Sequence, residues 1–81
     1  MTTVAEIIDL IKDMTNDSTL PKNVKQKLIE ILNLLESDDE ELSLRVNKAL
    51  HELDEISADS NLQSYTRTQL LAISSALESI E

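Results

Sequence analysis

The sequence predicts an all-α domain in which two tandem antiparallel helical hairpins form a compact four-helix unit. Three observations lead there. The 81 residues include no glycine and one proline, Pro21, whereas hairpin turns between strands lean on glycine for backbone angles that other residues resist. Apolar residues recur at helical spacing through four segments, and a single aromatic, Tyr65, leaves the core to be tiled from Leu, Ile and Val. The chain also resembles itself when Asn16 is laid on Ala58. A chain this short buries only roughly 60–65 % of the surface its unfolded form exposes, which leaves room for one core and one domain, residues 1–81.

The first helix is expected at about residues 3–15, where Val4, Ile7, Ile8 and Ile11 fall on one face. "TNDSTL" follows, rich in side chains that compete with helical backbone hydrogen bonds. Pro21 suits the first turn of a second helix, expected at about 21–36, because its missing N–H would have had no partner there. Val24, Leu28, Ile31 and Leu35 mark its buried stripe. Ser37 followed by Glu40 has the form of a capping box, and the acids Asp38 to Glu41 favour a helix start through the macrodipole. The third helix is therefore expected at about 39–57, with Leu42, Val46, Ala49, Leu53 and Ile56 inward. The fourth, at about 63–79, turns Leu70, Ile73, Leu77 and Ile80 inward. Short connections make successive helices antiparallel neighbours.

The self-resemblance spans residues 4–39 and 46–81. Asp17, Ser18, Leu20, Leu28, Ile31, Leu35, Glu36 and Ser37 meet identical residues from Asp59 to Ser79, and Val4, Ile8, Ile11 and Met14 meet Val46, Leu50, Leu53 and Ile56. Repeats of this length are usually helical pairs. The second copy lacks Pro21 and keeps Arg67 opposite Lys25.

Composition removes several functions. Without glycine no backbone can approach a pyrophosphate closely, so there is no P-loop or dinucleotide fingerprint. Without cysteine there are no disulfides, thiolate metal sites or thiol nucleophile. The start "MTTVAEIIDLIKDM" has no basic segment and is broken by Glu6 and Asp9, unlike a signal peptide or membrane span, which points to the cytoplasm. The formal charge of −9 opposes general affinity for nucleic acid or anionic membrane. "HELDE" at 51–55 has Glu55 where a zincin would carry its second His, and "ESDDEE" at 36–41 lacks the alternating ligands and glycine of a calcium loop. No catalytic residue, metal site or cofactor is expected.

Two features remain. Lys22, Lys25 and Lys27 stand in the first turns of the second helix, where the macrodipole disfavours positive charge by up to about 1 kcal/mol each. Lys22 and Lys25 share a face and suit an acidic protein or a phosphate backbone, while Lys27 points elsewhere. The plainer reading pairs these lysines with Asp17, Glu30 or the acidic start of the third helix. Three lysines without a Phe or Trp stacking platform make nucleic-acid binding weak at best. The second feature is an apolar surplus: Ile29, Leu32 and Leu34 on the second helix and Leu71 on the fourth lie off the main stripes. A partner helix or a second copy of the chain would cover them. The expected function is thus a non-enzymatic helical protein–protein interaction module with an unidentified partner or a homodimeric state. The alternative is an accessory of a ribonucleoprotein, contacting phosphates through the lysine edge. Candidate contact residues are Lys22, Lys25, Lys27, Leu34, Arg67 and Leu71.

Two resemblances sit beside this reading. "DSTLPKNVKQKLIEIL" resembles a HEAT-type repeat, in which a turn acid, often with a proline, precedes a Val-basic pair; Val24-Lys25 occupies that place, and Thr66-Arg67 does so in the second copy. Over nearly the whole chain, Leu44-Arg45-Val46, Leu53-Asp54-Glu55-Ile56, Arg67-Thr68 and the upstream "NDSTLPKNVK" resemble the short archaeal proteins of uncharacterised protein family 0147. Leu62-Gln63 stands where that family more often has Met-Pro. The resemblance implies an all-helical fold and an archaeal cytoplasmic setting, and it implies no activity.

Overall fold

The structure, a computed structural model, describes residues 3–80. Four helices make up the fold: α1 (Val4–Thr15), α2 (Lys22–Glu36), α3 (Leu42–Ser57) and α4 (Ser64–Glu78), with no strand among the described residues. Thr3 caps α1, its hydroxyl oxygen accepting the Glu6 N–H at 3.2 Å while its O–H donates to the Glu6 carboxylate at 3.3 Å. One N–H of the first turn, whose donors have no intrahelical partners, is satisfied by the Thr3 hydroxyl, which the Glu6 carboxylate in turn holds in place.

The similar Ser37-x-x-Glu40 pattern does not cap α3. Ser37 Oγ accepts the Asp39 N–H at 3.2 Å, Glu40 holds Lys48 at 2.7 Å, and α3 begins at Leu42 after Glu41 in extended geometry. The helix therefore starts three residues after the expected 39, late by most of a turn. Arg45 explains the shift: its Nε donates to the Glu40 carbonyl at 3.0 Å and its Nη1 to the Leu35 carbonyl at 2.7 Å. One guanidinium thus ties the end of α2 to the linker before α3, satisfying a carbonyl that the helix end leaves open. Pro21 likewise lies one step outside α2, as its N-cap, and its carbonyl accepts the Lys25 N–H at 3.0 Å.

The turns after α1 and α3 share the bonds that their backbone N–H groups donate. Asp17 N–H donates to Met14 O and Asp59 N–H to Ile56 O, both at 3.0 Å. The Thr19 N–H donates to the Asp17 carboxylate and the Asn61 N–H to that of Asp59, both at 2.9 Å. Such Asx turns close a loop without a positive φ, and no described residue has one. This is how a chain without glycine turns its corners.

Around the core, α1 packs on α2 and α4, and α3 packs on α2 and α4; α1 does not approach α3, nor α2 approach α4. The helices close a ring. In a solenoid, equivalent helices of successive hairpins would lie side by side, whereas here they stand diagonally across the bundle. The Cα radius of gyration, 11.8 Å, matches the value of about 12 Å expected for a closed globule of this length. Ile7, Ile11, Leu28, Ile31, Leu53 and Leu70 are fully buried at the centre, and Ala49 lets α3 approach closely where a larger side chain would not fit. Leu32, expected among the surplus, is buried in this core, while Ile29 remains exposed.

Candidate functional site

The lysines divide. Lys27 turns toward α3, where its ammonium meets Glu52 at 2.8 Å and Glu55 at 4.0 Å; the hydrogen bond to Glu52, then its charge, raises the Lys27 pKa above the ordinary lysine value. Lys12 reaches Glu36 at 3.7 Å and Lys48 reaches Glu40 at 2.7 Å. Lys22 and Lys25 are exposed and make no ion pair among the described residues. None of the three partners anticipated for this edge is used. Asp17 is engaged by the hydroxyl and N–H of Thr19, which lower its pKa, and the acid before α3 pairs with Lys48.

Arg67 donates from Nη2 to the carbonyl of Asp59 at 2.9 Å, across the turn before its own helix. Its place in the fold resembles that of Arg45, since each arginine fastens a linker by its backbone. Asn23 donates to the Asp59 carboxylate at 3.4 Å, which sets the start of α2 against the turn between α3 and α4. Lys22 and Lys25 stand near that junction.

The leucines lie on either side of α3. Leu34, half-buried, lines an open groove of about 470 Å³ between α2 and α3 with Glu30, Asn47, Lys48, His51 and Glu52. Leu71, 62 % exposed, lines a second groove of about 430 Å³ between α3 and α4 with Leu50, His51, Asp54 and Ser74. His51 borders both, so the two leucines flank one outward face. Sequence spacing marked Leu34 and Leu71 as off-stripe residues and had no means of placing them beside the same helix. Arg45 was visible only as part of a family-like tripeptide, because its partners are main-chain carbonyls that leave no trace in side-chain pattern.

His51 is exposed, and among the described residues no three His, Asp or Glu side chains converge as metal ligands would. No described helix is long and apolar enough to cross a membrane. Fold and surface together define a small all-helical domain of two hairpins closed around an aliphatic core, with grooves on both sides of its third helix.

Comparison with known proteins places it more narrowly. Residues 1–80 match an uncharacterised protein family, UPF0147, and the chain belongs to that family. A UPF0147 protein of Methanosarcina mazei is 34 % identical over 95 % of this chain and 83 % of its own, and UPF0147 protein TV0625 of Thermoplasma volcanium is 36 % identical over 93 % and 84 %. The crystal structure of the unknown function protein MMP1188 superposes with a TM-score of 0.92 at 33 % identity, covering 96 % of this chain and 89 % of that one. These relatives share the fold and carry no assigned activity in their names.

Proposed function

We propose that this protein is a non-enzymatic, cytoplasmic interaction module that works through helix faces, with α3 and its flanking leucines as the contact surface. The observation that carries this reading is Leu71, 62 % exposed although the core has already closed without it, lying beside the same helix as half-buried Leu34. Apolar side chains clustered around one outward face mark contact surfaces more often than singly scattered ones do. Leu71→Glu is expected to leave thermal stability within about 0.5 kcal/mol of the parent, as exposed substitutions do, and to remove a cross-linked product or a dimer seen by light scattering. Unchanged association in both Leu71→Glu and Leu34→Glu would contradict the reading. Leu71 is the cleaner probe, because Leu34 also packs against the core.

A second reading rests on the two unpaired lysines. Of five lysines, three hold carboxylates, and the two that hold none among the described residues are neighbours at the start of α2. In a chain with a large surplus of acids this favours an external anion, such as the phosphates of a ribonucleoprotein. Lys22→Glu with Lys25→Glu is expected to abolish RNA retention in a filter-binding assay at low salt, and retention equal to the parent would remove this reading.

A further inference from the structure

The groove between α3 and α4 continues beyond Leu71. A second cavity of about 280 Å³ lies along the same pair of helices, lined by Leu42, Val46, Leu50 and Ile80, and shares Leu50 and Glu78 with the cavity of about 430 Å³ beside Leu71. Together they make one furrow from Leu42, the first residue of α3, to Ser57, its last. At 1.5 Å per residue its 16-residue helix spans about 24 Å, the length of a helix of four to five turns.

We propose that this furrow binds a basic amphipathic helix of another protein; the inference rests on the interaction-module reading and specifies its partner. Leu42, Val46, Leu50, Leu71 and Ile80 supply its aliphatic part, between small side chains at Ser43, Ser57 and Ser74 that admit the ridge of an incoming helix. Asp54 and Glu78 border it, neither in an ion pair among the described residues, and no Lys or Arg lines either cavity. An apolar trough with acidic edges selects a helix whose apolar residues recur at i, i+3, i+4 and i+7 between lysines or arginines. A second copy of this chain is the poorer occupant, because each copy carries a formal charge of −9 and would set like charges against these carboxylates. An extended peptide has no strand edge to join among the described residues.

The test titrates the isotope-labelled full chain with a synthetic peptide of about 16 residues, leucine at the stripe positions and lysine elsewhere, and follows backbone amide shifts. Two control peptides carry glutamate for lysine, or the same composition with the stripe scrambled. Shifts are expected along residues 42–57 and 71–80, with affinity falling as salt rises. Asp54→Lys with Glu78→Lys should weaken binding about tenfold or more; Asp54→Asn with Glu78→Gln gives the smaller loss if the reversal disturbs folding. Equal binding of the scrambled peptide, shifts spread over α1 and the acids before α3, or a self-dimer seated in the furrow would each overturn the inference. If the peptide ignores the furrow while Leu71→Glu still abolishes association, the inference falls and the module reading stands. If Leu71→Glu and Leu34→Glu are also silent, both fall.

Discussion

Leu53→Ala is expected to lower the unfolding free energy by about 2–5 kcal/mol, the range for removing a large aliphatic side chain from a packed core. Leu53 is fully buried on α3, which touches both α2 and α4, so the space left behind opens toward two neighbours at once. The total stability of a domain this size is about 4–12 kcal/mol at 0.05–0.15 kcal/mol per residue, so the substitution consumes a large share of it. Urea unfolding followed by helical circular dichroism should show a lower midpoint with an unchanged slope. Ala49, fully buried on the same helix, limits how far the backbone can settle inward, and that favours the upper half of the range. A loss below about 1 kcal/mol would mean that the ring collapses around the gap and is less closely packed than described.

The second large effect is expected from a surface-facing cation. Arg45→Met keeps much of the aliphatic stem and removes both hydrogen bonds to the carbonyls of Leu35 and Glu40. Bonds from a charged donor contribute about 1.5–3 kcal/mol, and about 4–8 °C of melting temperature accompanies each kcal/mol in a domain of this size. Arg45→Lys should recover little, because a single ammonium cannot present two donors in the fixed fork that spans these carbonyls. Hydrogen exchange distinguishes this from general destabilisation: protection should fall first in the last turn of α2 and across residues 37–41. Equal loss of protection in every helix would show that Arg45 acts through packing rather than through the linker.

Much of the fold was legible in the sequence because its information lies in apolar periodicity. The stripes Ile7/Ile11, Val24/Leu28/Ile31/Leu35 and Leu70/Ile73/Leu77 are buried as the spacing predicted, and helix limits inferred from Pro21 and the "TNDSTL" turn fall within a residue or so of those observed. The start of α3 was misplaced because Ser37 and Glu40 have the composition of a capping box, and composition does not reveal that Lys48 and Arg45 claim the same segment. Leu32 was misread for a related reason. It lies off the stripe facing one neighbour, yet α2 has two, α1 and α3, so its buried arc is wider than a single stripe.

The candidate surface was legible only in part. Leu34 and Leu71 were recognised as surplus, but their placement on either side of α3 depends on how the hairpins dock, which no spacing within either hairpin records. Lys27 was distinguished correctly from Lys22 and Lys25 by its direction on the helix, and its partners were missed because Glu52 and Glu55 lie on another element. Arg67 was placed by its correspondence with Lys25, and it proved to hold a carbonyl in its own turn. Local pattern therefore located residues, and tertiary contacts decided what each one meets.

The contact between α1 and α4 sets a limit on how such a molecule can grow. An open array of hairpins keeps a free flank after every addition, so its length can increase by inserting another unit. Here the last helix returns to the first and occupies the flank to which a third hairpin would attach. Addition of another hairpin would have to separate α1 from α4 and expose the aliphatic surface between them. Change to the outer surface of this four-helix ring therefore comes from exchanging side chains on the outward faces of the existing helices rather than from inserting another hairpin.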